Sequence, residues 1–169
     1  MASPNLAGLE PAARLSAMAE ISNLKARYFR LMDTKCWAEW QDVFAPDALM
    51  DMAGEAAAMR SIGLPVPQDI AFVWRGSETI RSAVAAALEG VVTVHHGHMG
   101  EVELTSPETA QGIWAMEDLI LYPASMPLAG FRGYGHYFET YRKVGAAWRI
   151  QTMRLARLAL CPIPKTPSA

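Results

Sequence analysis

Cysteine is nearly missing from this 169-residue chain: Cys36 and Cys161 are too few for a disulfide framework and far apart, so both are read as reduced. Long apolar runs are missing too. No segment holds about 18 consecutive apolar residues, and residues 1–11 carry neither a basic stretch nor a continuous apolar core, so no membrane span or secretory leader is expected and a cytoplasmic location follows. Charge of one sign is not in surplus, with 15 basic and 17 acidic residues and a net charge of −2, which argues against nucleic acid as a partner. There is no HExxH helix and no paired CxxC, so no metal is expected. Internal repeats and low-complexity segments are also lacking.

What is present reads as one compact domain, with 51% apolar residues and enough length to bury a core without covalent staples. Ten methionines and five tryptophans suit either an adaptable pocket for an apolar ligand or an ordinary core. The domain is expected over residues 15–158, with a flexible arm over 1–14 and a proline-rich tail over 159–169 that leaves the sheet and frays.

Met18, Ile21, Leu24, Tyr28, Leu31 and Met32 recur at three- and four-residue intervals, which predicts an amphipathic helix over 15–32, with Lys25, Arg27 and Arg30 between them. Asp33 follows at its C-terminus, where the helix dipole disfavours a carboxylate by roughly 0.3–1 kcal/mol. It is either solvated, capping the next helix, or held there for another reason. A short helix is expected over 37–44, a strand over 48–52, a long loop over 53–73 with a helical turn at 55–60, and a third helix capped by Ser77. Four long strands follow.

The first of these carries Thr93-Val94-His95-His96-Gly97-His98-Met99, with three of the four histidines. Side chains alternate along a strand, so His95 faces opposite to His96 and His98, and only a bulge at Gly97 would gather them. They are candidates for catalysis or for plain strand packing. Arg154 and Arg157 fall on opposite faces of the last strand, and the inward one either meets an acidic ligand group or pairs with Asp118 or Glu117. Helices first and strands later make the fold α+β, with the antiparallel sheet covered on one face by helices.

With Tyr28-Phe29-Arg30-Leu31-Met32-Asp33, the aromatic stretch Trp37–Phe44, Thr93-Val94-His95 and the closing Trp148-Arg149-Ile150, the chain resembles the SnoaL-like branch of the nuclear-transport-factor-2-like (cystatin-like cone) superfamily. It is similar to the scytalone-dehydratase-like and bile-acid-dehydratase-like members. The resemblance implies a cone-shaped barrel of strongly curved antiparallel or mixed sheet, with about three N-terminal helices on its concave face. It also implies a hydrophobic small-molecule ligand and a homodimer or higher homo-oligomer. Tyr28, Asp33 and His95 match the tyrosine, aspartate and histidine of the dehydratases, which implies an Asp33–His95 proton-transfer pair with Tyr28 as acid or electrophile. Trp114 stands where scytalone-dehydratase-like proteins carry a second histidine.

The function expected is therefore a cofactor-free lyase of dehydratase type, or an isomerase, acting on an aromatic, steroid-like or polyketide-like compound. The alternatives are a non-catalytic binding or dimerisation module and a ring-hydroxylating dioxygenase small subunit. Trp40, Met50, Trp114, Met116, His136 and Arg154 are the expected substrate-binding residues.

Overall fold

The structure is a computed structural model that describes Leu6, residues 9–69 and residues 72–166. Of the expected arm and tail, residues 1–5, 7, 8 and 167–169 lie outside the described residues, as do 70 and 71 of the long loop. Four helices precede or interleave with the first strands: α1 (Pro11–Asp33), α2 (Trp37–Gln41), β1 (Phe44–Asp51), α3 (Ala53–Ser61), β2 (Val73–Arg75) and α4 (Ser77–Ala87). Four long strands complete the chain: β3 (Val92–Leu104), β4 (Thr109–Leu121), β5 (Gly130–Val144) and β6 (Ala147–Ile163). The six strands form one mixed sheet in the order β2-β1-β6-β5-β4-β3, antiparallel throughout except for the parallel pair β1 and β6.

The sheet curves because two of its ladders are interrupted by register shifts, β3–β4 at Gly97/Gly100 and β5–β6 at Tyr134/Gly135 and Thr140/Tyr141, and each extra residue bends its strand and increases the local twist. Gly97 and Gly100, three apart, both turn toward the core: a Cβ on either would meet the ring of Phe29 at 2.4 Å or of Trp114 at 2.3 Å. Alternation places Trp114, Met116, Asp118 and Ile120 of β4, Tyr137, Glu139 and Tyr141 of β5, and Met153 and Leu155 of β6 on the concave side, where all are buried. α1 lies across that side and buries Ile21, Leu24, Tyr28, Leu31 and Met32 against it.

Several expectations are corrected. α1 starts at Pro11 rather than Leu15, proline being well suited to the first turn, where its missing N–H has no partner to lose. Lys25 does not ride between the apolar positions: it lies four residues after Ile21 and three before Tyr28, on the buried stripe, and is 1% exposed. β1 begins at Phe44 and runs through Pro46, which sits in the interrupted register between Phe44 and Leu49. Residues 53–61 are a full helix, and α4 is capped from Gly76, at φ 88°, with no side-chain cap from Ser77. The tail does not fray at 159: β6 continues to Ile163, paired with Gly130. β1 pairs with β6 only as far as Arg154, so Pro162 lies where its missing donor breaks no ladder on that side. Among the described residues no helix is long and apolar enough to cross a membrane.

Candidate active site

The end of α1 delivers Asp33 to the inner face of β3. Its Oδ1 accepts from the Thr93 hydroxyl at 2.8 Å and lies 2.6 Å from His95 Nδ1, while its Oδ2 accepts the His95 backbone N–H at 2.8 Å. Bonds to an ionised acceptor contribute about 1.5–3 kcal/mol each, which outweighs the helix-dipole penalty of about 0.3–1 kcal/mol. Burial pushes the Asp33 carboxyl up, but the His95 ring and backbone bonds and the Thr93 hydroxyl win, and it is held below its ordinary value. Lys35 donates to the Thr93 oxygen at 2.8 Å, leaving the hydroxyl proton for Asp33.

An ionised carboxylate only accepts, so His95 Nδ1 carries the hydrogen, and in the neutral ring Nε2 is bare. The ring is 6% exposed, lies nearly parallel to Phe29 at 5.9 Å, and turns Nε2 to a cavity of about 260 Å³. Across from it, Asp118 Oδ2 lies 3.9 Å from Nε2. Asp118 is tied to Arg157 Nη2 at 2.7 Å, and Arg157 also donates through Nε and Nη2 to Glu55 of α3 at 2.6 and 3.0 Å. Burial opposes the guanidinium charge, but the two carboxylates more than restore it and raise the Arg157 pKa. Gly133, opposite Asp118 in the ladder, makes room for this pair: a Cβ there would fall 2.2 Å from Asp118 Oδ1 and 2.3 Å from Arg157 Nη1.

The rest of the cavity wall is apolar, with Met32, Met50, Met52, Met59 and Met126 among its residues, and the hydroxyl-bearing Tyr28, Tyr122 and Tyr137 set into it. Burial, then the charges of Tyr137 and Glu139, raise the Tyr28 phenol well above its ordinary value, and burial followed by Asp118 raises Tyr137. Burial and Glu55 push Tyr122 up to about 12. All three are hydrogen-bond donors at neutral pH.

Residues 13–154 match the family model of the SnoaL-like domain. The chain belongs to the SnoaL-like family, within the nuclear-transport-factor-2-like superfamily. Among its relatives is the probable cyclase FGR4 of Gibberella zeae, 26% identical over 146 residues that span 84% of this chain and 91% of that protein. A candidate scytalone dehydratase of Novosphingobium aromaticivorans has a solved structure with a TM-score of 0.73 at 17% identity, covering 95% of this chain and all of that one. A hexachlorocyclohexane dehydrochlorinase, LinA type 2, has a TM-score of 0.74 at 15% identity over 95% and 97% of the two chains. At these identities the two structural likenesses establish the cone fold alone.

Within this SnoaL-like domain the expected residues separate into two groups. Tyr28, Met50 and His95 line the cavity, and Asp33 stands behind His95. The others do not. Trp40 is fully buried beneath it, edge-on to Phe44 at 4.8 Å. Trp114 lies opposite Gly100 rather than His95, whose register partner is Asp118, and its indole N–H is taken by Tyr141 at 2.7 Å. Met116 packs its sulfur 3.7 Å from Arg157 Nη1 behind the wall. His136 and Arg154 point outward, His136 beside Phe138 and Arg154 stacked 4.4 Å over the Phe138 ring. The odd spacing of Arg154 and Arg157 was the usable signal, and the buried Met153 and Leu155 settle which arginine turns in. The three histidines do not gather either, because the bulge follows His95 and His96: His96 is 61% exposed, on Glu117 at 3.1 Å. Sequence reasoning missed Glu55, assigned to a loop, and Tyr137, whose shared parity with Gly133 and Gly135 was the available sign.

Proposed function

We propose that this protein is a lyase of dehydratase type, or an isomerase, that acts on a hydrophobic small molecule by acid–base catalysis centred on His95. The observation that carries the reading is the placement of His95 at the wall of an apolar cavity, with its Nδ1 2.6 Å from Asp33 Oδ1, a contact that leaves Nε2 as the acceptor of the neutral ring. In that state the imidazole accepts a proton from a carbon next to an electron-withdrawing group, and the carboxylates of Asp33 and Asp118 on its two sides stabilise the imidazolium that forms. The same proton then returns, either to a departing hydroxyl, which leaves as water, or to another carbon, which moves the double bond. Tyr28, kept protonated, donates to the substrate carbonyl. Arg157 holds Asp118 in place while Glu55 ties α3 over the site.

Membership of the SnoaL-like family, and relatives that bear the names of a cyclase, a dehydratase and a dehydrochlorinase, support a small-molecule-processing enzyme in general. The apolar wall supports an aromatic, polyketide-like or steroid-like substrate. The outward aromatic face of β5, with Tyr134 and Phe138, is consistent with a homo-oligomer, to be read by light scattering. The deciding experiment screens β-hydroxy ketones of these classes by thermal shift and then follows water loss or conjugation by ultraviolet absorbance in wild type and His95→Gln. Turnover lost by 10²-fold or more in the variant, the usual scale for a general base, is the expected result. A variant as active as wild type overturns the reading, and binding without turnover in either protein favours a non-catalytic module.

A further inference from the structure

The acid–base scheme makes no use of the most deeply buried charges in the molecule. Lys25 of α1 and Glu139 of β5 meet at 2.5 Å, both essentially without exposure. The second oxygen of Glu139 accepts from the Tyr141 hydroxyl, whose own oxygen accepts the Trp114 indole N–H. Burial lowers the Lys25 ammonium to about 8, with the charge and hydrogen bond of Glu139 opposing that fall. A buried ion pair seldom stabilises a core more than an apolar pair of the same shape, so its presence here points to something an apolar pair would not do.

Placement of the ammonium suggests what that is. Lys25 Nζ sits 3.7 Å from the ring centroid of Tyr137 and 4.2 Å from that of Tyr28, the two phenols of the cavity floor. It therefore lies against both ring faces while paired with one oxygen of Glu139, whose other oxygen is taken by the Tyr141 hydroxyl. A cation on the face of a phenol draws electron density from the ring and strengthens the O–H as a donor. The two rings stand 6.0 Å apart, edge to face, in the same cavity wall.

We propose that Tyr28 and Tyr137 together form a two-hydroxyl oxyanion site on the cavity floor, with Lys25, braced by Glu139, as the positioning residue that charges it from behind. The ligand class that follows is a carbonyl compound that forms an enolate, and this rests on the acid–base reading above. When His95 Nε2 takes the α-proton, the C–H electrons form the new C=C bond, the C=O π electrons move onto oxygen, and both hydroxyls donate to that oxygen. Tyr137 thereby joins Tyr28 as a catalytic residue.

The test uses 4-nitrophenol, whose colour separates phenol from phenolate, and 4-nitroanisole as a neutral control, in wild type, Tyr137→Phe and the double variant Lys25→Met/Glu139→Gln. Wild type is expected to bind the phenolate about tenfold more tightly than the phenol, which moves the titration of the bound probe down by about one pH unit. Either variant should lose most of that shift while binding 4-nitroanisole as wild type does. The double variant removes both charges at once, so it avoids the unpaired buried carboxylate that Lys25→Met alone would leave, and Tyr137→Phe perturbs packing least. A wild type that does not favour the phenolate, or a double variant that keeps the full shift, overturns the proposal. Neither readout needs turnover, so loss of the acid–base reading through an active His95→Gln is a separate result.

Discussion

Replacing Asp33 by asparagine should reverse the tautomer of His95, and the reasoning is a count of hydrogens. Three donors converge on the carboxylate: the His95 backbone N–H on Oδ2, and the Thr93 hydroxyl and His95 Nδ1–H on Oδ1. A backbone N–H donates and nothing else, so in Asp33→Asn the oxygen of the new side-chain amide must occupy the Oδ2 position. The amide NH₂ group then takes the Oδ1 position and faces His95 Nδ1. That nitrogen has to become the acceptor, which moves the ring hydrogen to Nε2 and occupies the lone pair turned to the cavity. The Thr93 oxygen would face two donors, the amide and Lys35, with its own hydrogen left without an acceptor at about 1–3 kcal/mol. The expected outcome is a stability loss of about that size and a fall in turnover of about 10²–10⁴-fold, the usual range for losing a general base. The tautomer can be read directly from the ¹⁵N shifts of the His95 ring, assigned with a His95→Gln control. Finding Nδ1 still protonated in the Asp33→Asn protein would refute the argument, whatever the activity.

Acid sensitivity follows from the same carboxylate. The folded pKa of Asp33 lies below its unfolded value, so its contribution is complete above an unfolded pKa of about 3.9 and is lost as pH falls through the lower folded value; Asp33→Asn should abolish that segment of an acid-denaturation curve. Arg157→Met strands Asp118 and Glu55 in a buried site and should cost about 3–5 kcal/mol in urea unfolding, while Glu55→Gln, which leaves the Asp118 pair intact, should cost clearly less. Gly133→Ala places a methyl group onto the Asp118–Arg157 contact and should destabilise by about 1–3 kcal/mol while reducing ligand binding in the cavity, measured by calorimetry. Lys25→Met should cost about 3–5 kcal/mol by leaving Glu139 unpaired, with most of that loss recovered in the charge-free double variant, again read by urea unfolding.

Periodicity in the chain was enough for the order of elements and for the α+β class, because α1, α4 and each long strand between its bulges follow a single local period. It failed where tertiary context overrode local pattern. Residues 53–61 have no sustained apolar stripe, since the helix is held by Glu55 reaching Arg157, a contact 102 residues away. The strand through Pro162 survives because, among the described residues, β6 has no strand partner beyond Arg154 on that side.

The site divides in the same way. Asp33 was conspicuous from the sequence because a carboxylate at a helix C-terminus conflicts with the dipole, and His95 because its strand parity differs from that of His96 and His98. Those are local properties, visible in neighbouring residues. Which arginine turns inward, that Asp118 rather than Trp114 stands opposite His95, and that Lys25 lies over Tyr28 and Tyr137 depend on ladder register, on bulges and on the packing of α1 against the sheet. A shift of one residue in register exchanges the two faces of a strand, so the sequence by itself determined the chemistry available to this protein, and only the tertiary structure decided which groups meet.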